Sequence, residues 1–101
     1  MLKKKYFKTK NEWEITFEFE SDEAETVALV AEANDWQPVD MKKRQKDGTF
    51  YCKMRLPKES HIQFRYLLDG NVWTNDSAAD AFVPNEFGGQ NGVVETKLSA
   101  N

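Results

Sequence analysis

Cysteine occurs once in this chain, at position 52, so no intrachain disulfide can staple the fold and the core must hold it. Histidine also occurs once, as His61 beside Ser60. Adjacent strand residues point to opposite faces and no acid in the sequence is placed to orient the imidazole, so no Ser-His couple is expected and His61 reads as a surface residue. An excess of positive charge is missing too. Lysine and arginine number 14 against 17 acids, for a net charge of -3 and a pI near 5.2. That balance argues against a nucleic-acid partner, which needs a basic face. No apolar run approaches the roughly 20 residues of a membrane span. Behind Lys3-Lys4-Lys5 there is no apolar stretch, so no secretory signal is legible and a cytoplasmic location is the expectation. Helical periodicity is absent as well: nowhere does an apolar i, i+3, i+4, i+7 pattern last three turns, and 78–81 would make one short turn at most.

What remains is enough for a packed β-domain. Hydrophobic residues make up 40% of the chain and aromatics 13%, more than a disordered segment carries. Glu14 to Glu20 alternates, with Ile15, Phe17 and Phe19 facing a core and Glu14, Thr16, Glu18 and Glu20 facing water. Trp13, just before this run, reads as an edge packing residue. Thr26 to Ala31 follows as a more buried strand, then an Asn34-Asp35-Trp36-Gln37-Pro38 loop. Val39 to Gln45 is a further expected strand, its Lys42-Lys43-Arg44 a solvated end before Asp47. Phe50, Cys52, Met54 and Leu56 alternate with Tyr51, Lys53 and Arg55, which turns Cys52 toward the core as a small apolar residue. Residues 75–87 read as a long loop crossing one end, and a last strand surrounds Val93 and Val94. About seven short strands at regular spacing define an all-β chain, a two-sheet antiparallel β-sandwich. The boundaries are 11–98, with 1–10 an N-terminal edge strand or a flexible tail.

The most informative stretch is Ile62 to Thr74. Ile62, Phe64, Tyr66 and Leu68 share one strand face, and Gln63, Arg65 and Leu67 share the other. Asp69-Gly70 is a hairpin signal, because glycine accepts the positive φ of a tight turn. Trp73 on the returning strand then falls within reach of Arg65. A cation beside an exposed indole is a platform for a hydroxyl-rich ligand. It is equally the kind of pair found in ordinary sandwich packing. Three aspartates, Asp69, Asp76 and Asp80, read as turn-formers: a glycoside-cleaving pair needs a deep cleft, and the calcium-loop spacing is not met. No catalytic residue, metal or cofactor is expected.

Taken together, Asn34-Asp35-Trp36, Asp47-Gly48, Phe64-Arg65-Tyr66-Leu67-Leu68-Asp69-Gly70, Trp73, Asp76 and Asn91-Gly92-Val93-Val94 resemble carbohydrate-binding module family 48 over about residues 13–97. That family includes the N-terminal domains of isoamylase and glycogen branching enzyme, and the glycogen-binding domain of the AMP-activated protein kinase β-subunit. The resemblance implies an immunoglobulin-like sandwich of the early-set type that binds α-1,4-glucans such as glycogen or starch without catalysis. It does so alone or beside a glycogen- or starch-active enzyme. By the same resemblance Trp36, Arg65, Trp73, Phe87 and Asn91 hold the sugar chain. The sequence departs from the family at Ala31 and Ala33, which stand where glycine and phenylalanine are usual. Arg65 stands for a lysine and Gly89 for a threonine. An alternative reading keeps the fold and assigns a protein-interaction or packing domain without a sugar site. Residue by residue the alternatives are concrete. The indoles stack on sugar or plug the core ends; Arg65 donates to hydroxyls or makes a surface ion pair; Asn91 holds a diol or forms a turn; Phe87 clamps a curved glucan or anchors its loop.

Overall fold

A computed structural model of the chain describes residues 1–97. The expected domain end at 98 lies outside the described residues. The strands are β1 (Leu2–Phe7), β2 (Glu12–Phe19), β3 (Val27–Ala31), β4 (Val39–Asp40), β5 (Lys42–Lys43), β6 (Phe50–Pro57), β7 (His61–Leu68), β8 (Val72–Thr74), β9 (Ala81–Pro84) and β10 (Gln90–Glu95). One 3-10 turn, Glu32–Asn34, follows β3. All pairings are antiparallel. One sheet runs β1-β2-β6-β5; the other runs β4-β3-β7-β10-β9, with β8 also paired to β7. This is an all-β, immunoglobulin-like sandwich.

Period-2 alternation builds the core. Ile15 and Phe17 of β2, Val27 and Leu29 of β3, Phe64 and Tyr66 of β7, and Val94 of β10 are fully enclosed between the sheets. Phe17 meets Phe64 edge-on with centroids 5.0 Å apart, and Phe64 meets Tyr66 at 5.7 Å, the offset geometry that ring quadrupoles favour. Tyr66 carries its hydroxyl into this core and satisfies it by donating to Asp76 Oδ2 at 2.9 Å. Burial and the neighbouring Asp76 carboxylate push the phenol well above its ordinary pKa.

Several details differ from the sequence reading. Among the described residues ten strands stand where about seven are expected. The expected strand 39–45 is two fragments, β4 and β5, in different sheets: Met41 is buried between them, and its amide donates to Val27 O, so the chain changes sheet there. Within the expected loop 75–87 lies β9, paired to β10 through Asn91↔Val83 and Gly92↔Phe82. Of the two alternatives expected for 1–10, the structure has the edge strand over 2–7, and its Lys4 reaches Asp80 at 2.6 Å. Glu18 is not in water. It lies under Arg44 at 3.0 Å and Lys3 at 3.5 Å, a burial that alternation alone does not reveal. Trp13 is a core residue, 7% exposed, tilted against Tyr6, its indole N–H donating to Lys97 O. Cys52 is half-buried at the core margin, where desolvation raises its thiol pKa. His61 is exposed as expected, but an acid does face it: Glu95 Oε1 lies 3.0 Å from Nδ1. Ser60 points its hydroxyl instead at Pro57 O.

Candidate functional site

The site is assembled on the outer face of the six-stranded sheet. With Phe64 and Tyr66 in the core, pleating turns Gln63, Arg65 and Leu67 of β7 outward. Cross-strand register then fixes their neighbours: Val30 of β3 lies opposite Arg65, and Trp73 of β8 lies opposite Leu67. On its other edge, β7 is shared end to end, since β10 pairs with 61–64 and β8 with 66–68. Arg65 stands at the break between those two partners. Asn75 bridges the break by donating from Nδ2 to Gln90 O at 2.8 Å.

The hairpin that returns Trp73 is built as its turn residues require. Asp69 and Gly70 both have positive φ, 49° and 76°, and Asn71 N donates to Leu68 O at 3.0 Å. The Asp69 carboxylate caps the neighbouring chain, accepting from the amides of Glu25 and Thr26 at 2.8 and 2.9 Å. Its role is structural, as is that of Asp76, whose Oδ1 accepts from Ala78 N.

Trp36 arrives from the opposite side. After the 3-10 turn, Asp35 and Trp36 take φ of 54° and 60°. Aspartate tolerates this region, but a tryptophan rarely visits it, at a cost of roughly 1–2 kcal/mol. The pose is held by Trp36 N donating to Ala31 O at 2.9 Å and by Asn34 Nδ2 donating to Gln37 O at 3.0 Å. A third aromatic, Phe87, comes from the loop joining β9 to β10, where Asn85 Oδ1 accepts from the amides of Phe87 and Gly89.

These elements enclose a groove of about 470 Å³. All five residues singled out from the sequence, Trp36, Arg65, Trp73, Phe87 and Asn91, line it. Their environments separate the alternatives posed above. Trp36 and Trp73 are 42% and 49% exposed, so neither plugs the core, and Phe87 at 86% exposure anchors nothing. Among the described residues Arg65 makes no surface ion pair. It lies against Trp73, its guanidinium carbon 5.5 Å from the ring centroid, and its buried Nε has no hydrogen-bond partner among the described residues. Asn91 is 9% exposed; its Nδ2 donates to Gln63 Oε1 at 3.0 Å and its Oδ1 accepts from Asn85 Nδ2 at 3.3 Å.

Sequence reasoning missed Gln63, Asn85 and Glu86 as lining residues. Gln63 was within reach of it, since it shares the outward face with Arg65. Asn85 and Glu86 carried no such signal, lying in what reads as a loop.

Fold and groove together define an immunoglobulin-like β-sandwich with one exposed aromatic cleft. Among solved structures it is similar to the ferric enterobactin esterase of Salmonella typhimurium, with a TM-score of 0.77 at 8% identity. The superposition covers 99% of this chain and 35% of that one, so the chain spans about a third of the esterase and shares its fold there. No family model and no curated protein sequence matches the chain. No helix among the described residues is long and apolar enough to cross a membrane.

Proposed function

We propose that the chain is a non-catalytic α-glucan-binding module, taking a glycogen- or starch-like chain in the Trp36–Trp73 groove. The observation that carries this reading is the pair of half-exposed indoles and the exposed Phe87 around one groove with a polar floor. A pyranose has an apolar C–H face that lies flat on an indole while its hydroxyls reach polar groups. Aromatic walls supply rigid contact area with few torsions to freeze. The left-handed backbone at Trp36 supports the same reading, because a strained residue at a cleft is retained where the pose itself serves a purpose. The likeness of its motifs to family 48 supplies the ligand class. Partners in this reading are the polysaccharide and a glucan-active enzyme that performs any chemistry.

Affinity is modest in this account, since a shallow groove leaves much of the ligand in water. Native electrophoresis through gels cast with glycogen tests it directly. Retardation that soluble maltoheptaose relieves supports the proposal. Unchanged mobility at high polysaccharide load removes it.

A further inference from the structure

Resting on that glucan reading, we infer that the groove floor is a subsite for an oxyanion carried by the sugar chain, a phosphate ester or a carboxylate, in preference to an unmodified hydroxyl. Amide orientation sets the character of the floor. Asn85 Oδ1 accepts from the backbone amides of Phe87 and Gly89, at 2.9 and 3.0 Å. Backbone N–H groups only donate, so the Asn85 oxygen is fixed and its Nδ2 must point away as a donor. That Nδ2 donates to Asn91 Oδ1, which turns Asn91 Nδ2 toward Gln63 Oε1. The relay ends on Gln63, whose Oε1 accepts from Asn91 and whose Nε2 hydrogens are unspent among the described residues. Two loop amides thereby dictate that the far end of the chain presents donors.

Beside Gln63 on the same strand face lies Arg65, which offers five N–H donors and no acceptor. The other arginines of the chain are paired: Arg44 with Glu18 and Asp47, Arg55 with Glu12. No carboxylate pairs with Arg65 among the described residues, and its Nε is buried without a partner. The nearby acids are otherwise placed. Glu32 is occupied with Gln63 N at 3.0 Å, and Glu86 lines the groove from the β9–β10 loop without bonding Arg65. The floor between the aromatic walls thus presents the donors of Gln63 and the charge of Arg65, with Glu86 on the adjoining loop. A sugar hydroxyl can accept from these donors but carries no charge to match the guanidinium. An oxyanion has only lone pairs, and a guanidinium fork matches its geometry.

The test is a calorimetric titration of the whole chain with three oligosaccharides of equal length: maltoheptaose, the same oligosaccharide bearing a phosphate ester, and an oligogalacturonate. The phosphorylated glucan is expected to bind about tenfold or more tightly than maltoheptaose, the usual gain from charge-assisted bonds. That advantage should shrink as salt is raised. Stronger binding of the oligogalacturonate would identify carboxylate rather than phosphate as the matching oxyanion. In Gln63→Glu, which keeps the acceptor for Asn91 but puts a negative charge in place of the donor, the ratio of anionic to neutral affinity should fall toward one. Arg65→Gln should act in the same direction, with circular dichroism confirming that both variants fold. Equal affinity for neutral and anionic ligands in the unaltered chain would overturn the oxyanion subsite and leave the glucan reading standing. Absence of binding by all three would overturn both.

Discussion

At the scale of single residues, the three tryptophans divide into one enclosed ring and two exposed ones, the latter assigned to the proposed recognition. Trp13 is enclosed and hydrogen-bonded to Lys97 O, whereas Trp73 is half in solvent against Arg65. Trp13→Ala should therefore cost about 3–5 kcal/mol of stability, the usual loss for a buried aromatic cut to alanine. Trp73→Ala should abolish oligosaccharide binding while the Tm, read by thermal denaturation, barely moves. A Trp73→Ala variant that unfolds would make the indole a core plug. Tyr66 gives a pH signature. Its folded pKa is raised, so its stabilising contribution is complete below the unfolded phenol value of about 10 and is lost as pH rises above it. Denaturant unfolding of the unaltered chain and of Tyr66→Phe should show a steeper alkaline loss in the former. The variant itself should be less stable at neutral pH by about 1–3 kcal/mol, because Asp76 Oδ2 loses a buried donor. Parallel alkaline slopes for the two proteins would remove Tyr66 as the source.

At the scale of elements, the β7–β8 hairpin is the part of the site most legible in the sequence. Alternation set Arg65 outward, Asp69-Gly70 announced the turn, and the two facts together placed Trp73 beside Arg65. Asp69→Ala should cost about 2 kcal/mol by chemical denaturation, through the lost acceptor for Glu25 and Thr26 amides and an alanine forced to positive φ. A loss near zero would mean that the turn holds without this cap. Other elements were not legible, for reasons that are tertiary. Nothing in Val39–Gln45 marks the change of sheet, because Met41 supplies only a buried side chain and one amide bond across to Val27. β9 reads as loop because its Pro84 and flanking turn residues mask a short edge strand whose pairing depends on β10. Glu18 obeys the alternation and still ends up buried, since its cover comes from Arg44, on a segment remote in sequence. The groove's amide relay is hidden for the same reason, as Asn85, Asn91 and Gln63 meet only once β7, β10 and the β9–β10 loop are assembled.

At the scale of the whole molecule, the two outer faces differ in kind. The four-stranded sheet shows a ladder of opposite charges, with Arg55 bonded to Glu12 at 2.6 Å and Lys53 near Glu14 at 3.9 Å. Exposed pairs of this sort contribute roughly 0–1 kcal/mol each and serve mainly to keep a face wet. The six-stranded sheet shows aromatic walls and, in Arg65, a cation without an ionic partner among the described residues. The proposed recognition surface is that second face, and the proposal is open to one direct measurement: iodide quenching of tryptophan fluorescence with and without saturating maltoheptaose. Trp13 is inaccessible from the start, so the quenchable signal comes from Trp36 and Trp73. The oligosaccharide should shield both indoles, and quenching should fall toward the level of a fully buried ring. Quenching unchanged at saturating maltoheptaose would contradict the proposal.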